Sequence, residues 1–585
     1  MESSRAHSGR RVFAVICALA LIGFSGHTVA ESFPPTLKKP DIDLLVARQS
    51  EETAADFPAF LQKAASVKPA LKKAVLAYRA GARLEGDDLV NIARLLGAYS
   101  RVQLHEQVIS TLGQMVALPT VRDAGVPQHL SPAIVTFGKL VEGLARDFGL
   151  EFRNVDNRVF EVRLRGRGPQ EFGVLTHADV VPVVADEWVL KDGTRLDPFK
   201  LTRVGGLLYG RGTIDDKGSI ATVMYAMKAV KDSGLTLERT VRLMIETTEE
   251  TGGDGMRYYR EKTRLPEYNI VLDSRYPAVV AEKGSGALKV VLPLGPEDFR
   301  ETAIVSMAAS ASSSAIPQTA TATLRGGDLV RTAAMLEAAK AAFIRKYEGQ
   351  GGAFSIDINS SGDRLLVKLT GVSAHGSRPE EGVNPLPRLA LFLNEFAAVF
   401  RDNGYKKAVA YIVDLYGIDY FGRQLDLAYG DDFMGPLTMS PTMVGEKSGK
   451  VEVTVNVRIP RGRSSKQMID AVNAKVNAWA AARGAKMEID YRQGDWMARD
   501  PKGAWLTTLL NIFGDNTGME AKPTSTAGGT TAKLMPNAIN FGPAMPGKKY
   551  TAHNANEYKE VADLDIDMQM FVEMLVRIGN LDRME

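Results

Sequence analysis

Two stretches set acidic side chains back to back. "GRGTIDDKG", residues 210–218, carries Asp215 and Asp216, and "IETTEETGG", residues 245–253, carries Glu249 and Glu250. Aspartate caps helices, and negative charge is favoured at a helix N-terminus. The helix-like run "SIATVMYAMKAV" follows the aspartates at once. Capping accounts for one aspartate and tolerates the second, and a solvated acidic loop accounts for the glutamates. The other reading is a bound cation. One carboxylate of an adjacent pair then holds the ion while its neighbour handles protons.

A cation needs further ligands. Two of the seven histidines, His7 and His27, precede residue 31; the others are His105, His129, His177, His375 and His553. His105 falls in a helical pattern and His129 in a loop, and both read as surface or packing residues. His177, in "VLTHADVVPV", follows an apolar strand-like run. Its His-x-Asp unit lets an imidazole ligate a metal while Asp179 orients it. Asp273, in "NIVLDSRYPAVVAEKG", ends another such run, and His553 lies in the late loop "YTAHNANEY". Singly, each has an ordinary reading: a satisfied strand-end histidine, a turn-initiating aspartate, an exposed loop histidine. Together His177, Asp215, Glu250, Asp273 and His553 supply two imidazoles and three carboxylates, a mix that suits Zn²⁺ and less closely Mn²⁺ or Co²⁺. If one carboxylate bridges two ions, each ion keeps a histidine and a carboxylate of its own. Ions paired about 3.5–4 Å apart activate water and polarise a carbonyl.

These residues must be carried by elements. "FEVRLRG", "FGVLTH" and "TVRLMIETTEE" read as strands, with "SIATVMYAMKAVKDSG" as a helix between the last two. Strands alternating with helices predict an α/β catalytic domain with a mostly parallel sheet and flanking helices, whose ligands gather at the strand carboxyl ends. Residues 31–105 read as a helical N-terminal extension and 106–285 as the first part of the catalytic domain. Residues 286–495 change texture. β-rich runs such as "ALKVVLPLG" and "KVEVTVNVRI" accompany two long helical stretches, which predicts an α+β insertion, the position of the lid in the family that the motifs below resemble. The α/β texture returns over 496–585.

The chain has 585 residues, 45% hydrophobic and 24% charged, which predicts a soluble protein of more than one domain. Residues 1–30 have a basic start, an apolar run and a small-residue exit, the pattern of a cleaved secretory signal. The expected location is the periplasm or the exterior, with no stable membrane association after cleavage. Without Arg5, Arg10, Arg11 and Glu2 the net charge falls from +3 to +1, so nothing favours nucleic acid. The only cysteine, Cys17, leaves with the signal, which excludes a disulfide and a thiolate nucleophile or ligand. A P-loop reading of "GRGTIDDKG" fails, because Lys217 is preceded by Asp and followed by Gly.

In chain order, "THADVVPV", "DPFKLTRVGGLLYGRGTIDDKGS", "TTEETGG", "DSRYPAVVAEKG", "SAHGSRPEEGVNP", "NVRIPRG", "GGTTAKLMPNAINFGP" and "AHNANEY" resemble the motifs of the dizinc metallopeptidases that include peptidase V, carnosinase-type dipeptidases, aminoacylase and glutamate carboxypeptidases. The peptidase V-like dipeptidases are the most similar group. The resemblance spans about residues 108–565. It implies His177, Asp215 and Asp273 around one metal, with Asp215 bridging to a second that Glu250 and His553 complete. It implies Asp179 as the carboxylate orienting His177, Glu249 as the general base, and His375 as the histidine steadying the oxyanion. Arg458 would clamp the substrate's C-terminal carboxylate, a task that suits a planar guanidinium. Gly528, Gly529 and Thr530 would line the substrate site. Asp216 is expected to cap the helix or to hold an unusual peptide geometry beside the bridge. Three positions depart from the family: Thr176 where glycine is usual, "LDSRYP" for a Pro-Asp-Ala opening, and Ser314 where many relatives have asparagine. They leave the ligand set intact and bear on substrate preference.

The expected activity is hydrolysis of dipeptides with free C-termini, using two divalent ions per chain. An N-acyl-amino-acid deacylase or a carboxypeptidase on the same fold is the nearest alternative, and a non-catalytic peptide-binding protein is another. A large lid standing in for a second subunit predicts a monomer.

Overall fold

The computed structural model describes residues 36–309, 312–499 and 502–585; the secretory-signal expectation, residues 1–30, lies outside them. A nine-stranded sheet organises the α/β part. Its order is Glu151–Val155, Val159–Leu164, Thr240–Glu246, Glu171–His177, Asn269–Val271, Ala538–Asn540, Val279–Glu282 and Met497–Ala498, with Thr524–Thr526 beside Val279–Glu282. The four central strands, from Thr240–Glu246 to Ala538–Asn540, run parallel. These are near-continuous apolar runs, as expected for strands covered on both faces. The "FEVRLRG" strand is antiparallel to both neighbours and lies one strand in from the sheet's edge.

One face of the sheet is covered by helices Lys217–Asp232 and Val561–Gly579, both buried over most of their length. The helical extension packs onto this layer. Helix Gly86–Gln103 crosses Val561–Gly579 so closely that a Cβ on Gly97 would lie 2.6 Å from the Gln569 carbonyl oxygen. Beside that crossing, the buried Arg94 guanidinium pairs with Glu573 at 2.9 Å and Asp515 at 2.6 Å. Side chains of the extension, from Leu37 to Val75, share one apolar core with the α/β layer.

A separate three-stranded sheet does the positioning. Its strands are Thr202–Val204, Leu207–Tyr209 and Tyr558–Glu560. Pairing Tyr209 with Tyr558 brings the loop that leads to Asp215 against the loop that contains His553.

The inserted unit has its own core. One four-stranded sheet runs Thr438–Lys447, Lys450–Ile459, Gly284–Pro293, Glu488–Gln493; a second runs Ala303–Ala308, Thr319–Arg325, Arg364–Thr370, Ser355–Ser361. The long helices Leu329–Glu348 and Ser465–Arg483 match the sequence expectation, and Pro385–Asn394 and Gly404–Leu415 add two more. A two-stranded ribbon, Ala315–Ile316 against Ala374–His375, points from this unit toward His553.

Candidate active site

Four of the expected residues leave the carboxyl edge of the parallel strands. His177 is the last residue of its strand, Asp273 follows Asn269–Val271, and Glu249 and Glu250 open a short 3-10 turn after Thr240–Glu246. Asp215 and His553 do not come from this sheet. They hang from the loops joined by the small sheet, Asp215 after strand Leu207–Tyr209 and His553 in the late loop where the sequence put it.

The structure brings all five together. His177 Nε2 lies 2.9 Å from Asp215 Oδ1 and 3.6 Å from Asp273 Oδ1. His553 Nε2 lies 3.1 Å from Asp215 Oδ2 and 3.0 Å from Glu250 Oε1. Asp215 thus turns one oxygen to each imidazole. Donor atoms of His177, Asp215 and Glu250 fall within 4.8 Å of one another, as do those of His177, Glu249 and Asp273.

The electrostatics call for cations. Burial, then the charge of Asp273, pushes the Glu249 carboxyl well above the usual range, with Glu250 and Asp179 adding to it. Burial also pushes Asp273 up to about 7, helped by Asp215 and Glu250 and opposed by His177. Burial would push Asp215 up as well, but hydrogen bonds to His177 and His553 hold it well below the usual range. This crowd of buried carboxylates around two imidazoles is the donor set that hard and borderline divalent ions take, so the residues fit a metal pair.

Asp179 orients His177 in a way the sequence did not suggest. The His177 Nδ1–H donates to the Asp179 backbone carbonyl at 2.9 Å, and the carboxylate stands behind at 3.5 Å. That carboxylate accepts the backbone N–H groups of Glu249 and Glu250, each at 3.1 Å. It therefore fixes the turn carrying both glutamates. Asp216 sits at the N-cap of Lys217–Asp232 without a capping bond, and the Asp215–Asp216 peptide is cis. Its fully buried carboxylate accepts the His177 backbone N–H at 3.4 Å.

The inserted unit brings His375 and Arg458 to the same place. The His375 ring stands 4.7 Å from that of His553. Its Nδ1 accepts the Ser377 backbone N–H at 3.2 Å and lies 2.6 Å from the Ser377 hydroxyl. That leaves the proton on Nε2. Burial, then the charges of His553 and Arg458, holds this imidazole well below its usual range, so it stays neutral. Arg458 is buried and feels the charges of Glu249 and Glu282; burial brings it down to about 10. Two lysines that sequence reasoning passed over join it. Lys283 and Lys533 are each brought down to about 8 by burial, with Arg458 adding to the effect. Lys533 also feels the charge of Glu249.

Gly529 lies against Lys533, where a Cβ would meet Nζ at 2.8 Å, and Gly528 donates its N–H to Thr526 Oγ1. Thr530 is otherwise engaged. Its hydroxyl donates to Glu282 at 2.6 Å and its N–H to the same carboxylate at 3.1 Å, so the side chain shapes the loop. Glu557 is the main residue that sequence reasoning missed. Fully buried, it accepts the N–H groups of Gly212 at 3.0 Å, Ile214 at 3.1 Å and Asp215 at 3.3 Å, and pairs with Arg211. It stands four residues after His553, inside a motif already singled out, and that proximity was the available signal.

A family model for peptidase family M20/M25/M40 matches residues 173–577, and the chain belongs to that family; it is a metal-dependent peptidase. Among curated relatives, a Beta-Ala-Xaa dipeptidase of Lactobacillus delbrueckii subsp. lactis is 27% identical over 481 residues, 81% of this chain and 96% of the relative. A putative dipeptidase, YtjP, of Bacillus subtilis is 28% identical over 438 residues, 74% of this chain and 88% of the relative. Human carnosine dipeptidase 1 shares the fold, with a TM-score of 0.55 at 14% identity over 84% of this chain and 99% of that one.

Proposed function

We propose that this chain is an exported dipeptidase that works as a monomer with two divalent ions, zinc foremost. The observation that carries the reading is the division of Asp215 between His177 and His553, with Asp273 and Glu250 on opposite sides of the bridge. The ions, when bound, supply Lewis acidity and a water that is acidic at neutral pH. His177, Asp215 and Asp273 would hold one ion, and Asp215, Glu250 and His553 the other.

The chain's own residues do the rest. Glu249, beside the proposed ligands, takes the proton of the attacking water and passes it to the leaving amine. The neutral His375 donates its Nε2–H to the oxyanion that develops on the scissile carbonyl. Arg458, with Lys283 and Lys533 close by, receives the C-terminal carboxylate. A second chain is not needed, because the lid that carries His375 reaches the His553 of its own chain. Export rests on the pattern of residues 1–30, and no helix among the described residues is long and apolar enough to cross a membrane.

The names of the curated relatives support dipeptides as substrates. The test is metal analysis of the purified protein together with rates on a dipeptide, its N-acetyl form and a tripeptide. About two ions per chain and a preference for the free dipeptide are expected. A faster N-acetyl substrate would make the chain a deacylase, and full activity without metal would sink the mechanism.

A further inference from the structure

The ribbon from the lid carries a second side chain to His553. Ala315 pairs with His375 and Ile316 with Ala374, and the Gly376 N–H donates to the Ser314 carbonyl at 2.6 Å. A Cβ on Gly376 would lie 2.7 Å from that oxygen, so glycine is needed for the approach. Held this way, the Ser314 hydroxyl lies 3.1 Å from His553 Nδ1, the ring nitrogen turned away from Asp215 and Glu250. With Nε2 given to an ion, the ring's proton would sit on Nδ1 and donate to Ser314 Oγ. The Ser312 hydroxyl, 2.9 Å from Ser314 Oγ, fixes its direction.

The same segment is tied to the substrate clamp. The Ser313 carbonyl accepts from Thr442 Oγ1 and from Asn456 Nδ2, each at 3.1 Å. The Asn456 side-chain oxygen accepts Arg458 Nε–H at 3.1 Å. A continuous set of hydrogen bonds therefore runs from Arg458 through Asn456 and the 313–314 segment to His553, and all of it except His553 is borne by the lid.

We propose that Ser314 is a positioning residue that couples lid closure to retention of the ion held by Glu250 and His553. With the lid closed, its oxygen fixes the orientation and tautomer of the His553 ring; with the lid withdrawn, that ring loses its outer partner. An ion held by His177 and Asp273 would have its outer partner in the Asp179 carbonyl, which does not belong to the lid. The inference rests on the dinuclear reading above and does not depend on which peptide is cleaved.

The experiment is a competition titration with a chromophoric chelator on the full-length protein loaded with Zn²⁺, for wild type, Ser314→Ala and Ser314→Thr. Loss of an outer-shell partner of a metal-bound histidine costs about 10–100-fold in affinity. Ser314→Ala is expected to weaken one ion by that factor and leave the other unchanged. Ser314→Thr, which keeps the hydroxyl, is expected to hold both as wild type does. Two ions held as tightly in Ser314→Ala as in wild type would overturn the proposal. So would equal loosening of both, which would mark a general structural effect. A wild-type chain holding fewer than two ions would show in the reference titration and would remove the dinuclear reading and this inference together, whereas a deacylase outcome in the substrate panel would leave the inference standing.

Discussion

Replacing Glu557 with glutamine tests how the bridge is held. In the native chain one Glu557 oxygen takes three backbone N–H groups of the 212–215 loop and the other takes Arg211, which is 2% exposed. Glutamine keeps an oxygen for the amides but sets an NH₂ group against the guanidinium. A buried charge left without its partner costs about 3–5 kcal/mol. Arg211 retains the Asn554 carbonyl at 3.1 Å, and burial already raises the Glu557 carboxyl against the pull of Arg211. The lower end, about 3 kcal/mol, is therefore the expected loss. At about 2.1 cal/mol/K of unfolding entropy per residue, a cooperative unit of a few hundred residues shifts by roughly 1–3 °C per kcal/mol, or about 3–9 °C here. The assay is the thermal midpoint in excess chelator, so that only the chain's own bonds are read. The double variant Arg211→Met, Glu557→Gln removes both charges and should recover at least half of the loss. A midpoint for Glu557→Gln within about 1 °C of wild type would refute the argument that this glutamate secures the loop.

Three further outcomes are expected. Glu249→Gln should keep its ions, measured by metal analysis, while kcat falls by about 10²–10⁴-fold, the usual worth of a general base; near-normal turnover would move the base elsewhere. Arg458→Lys should raise KM for a free dipeptide far more than for its C-terminal amide, because an ammonium lacks the bidentate fork. Lys283 and Lys533 lose their charge as pH rises through about 8. KM for the free dipeptide should therefore climb above that pH while the amide's stays flat, and parallel profiles for the two would exclude these lysines from carboxylate binding.

The residues legible in the sequence were those that an apolar strand delivers. His177 and Asp273 each close a run of buried aliphatic residues, so strand, edge and ligand were read together. Asp215 and His553 were legible by type, but the small sheet that joins them was not, since its strands are three residues long and carry no clear alternation. Helix Val561–Gly579 passed unremarked because Asp563, Asp567 and Glu573 interrupt its apolar pattern. Each is buried against a partner far away in sequence or across a turn: Asp563 with Lys548 and Tyr550, Asp567 with Lys559 and Tyr276, Glu573 with Arg94. Charges compensated by tertiary contacts read locally as a solvent-facing surface. Thr530 shows the converse. Its motif was visible, but the contact by which Glu282 holds its hydroxyl joins residues 248 apart in the chain.

The crossing at Gly97 sets a timetable for folding. Arg94 meets Glu573 across 479 residues of chain. Until that pairing forms, the extension's helices lack the surface they bury against, and closing so long a loop comes at an entropic cost that local contacts do not bear. The extension, which comes first among the described residues, is thus among the last segments to be locked. A chain stopped short of its final helix would leave both ends of the molecule unfinished at once.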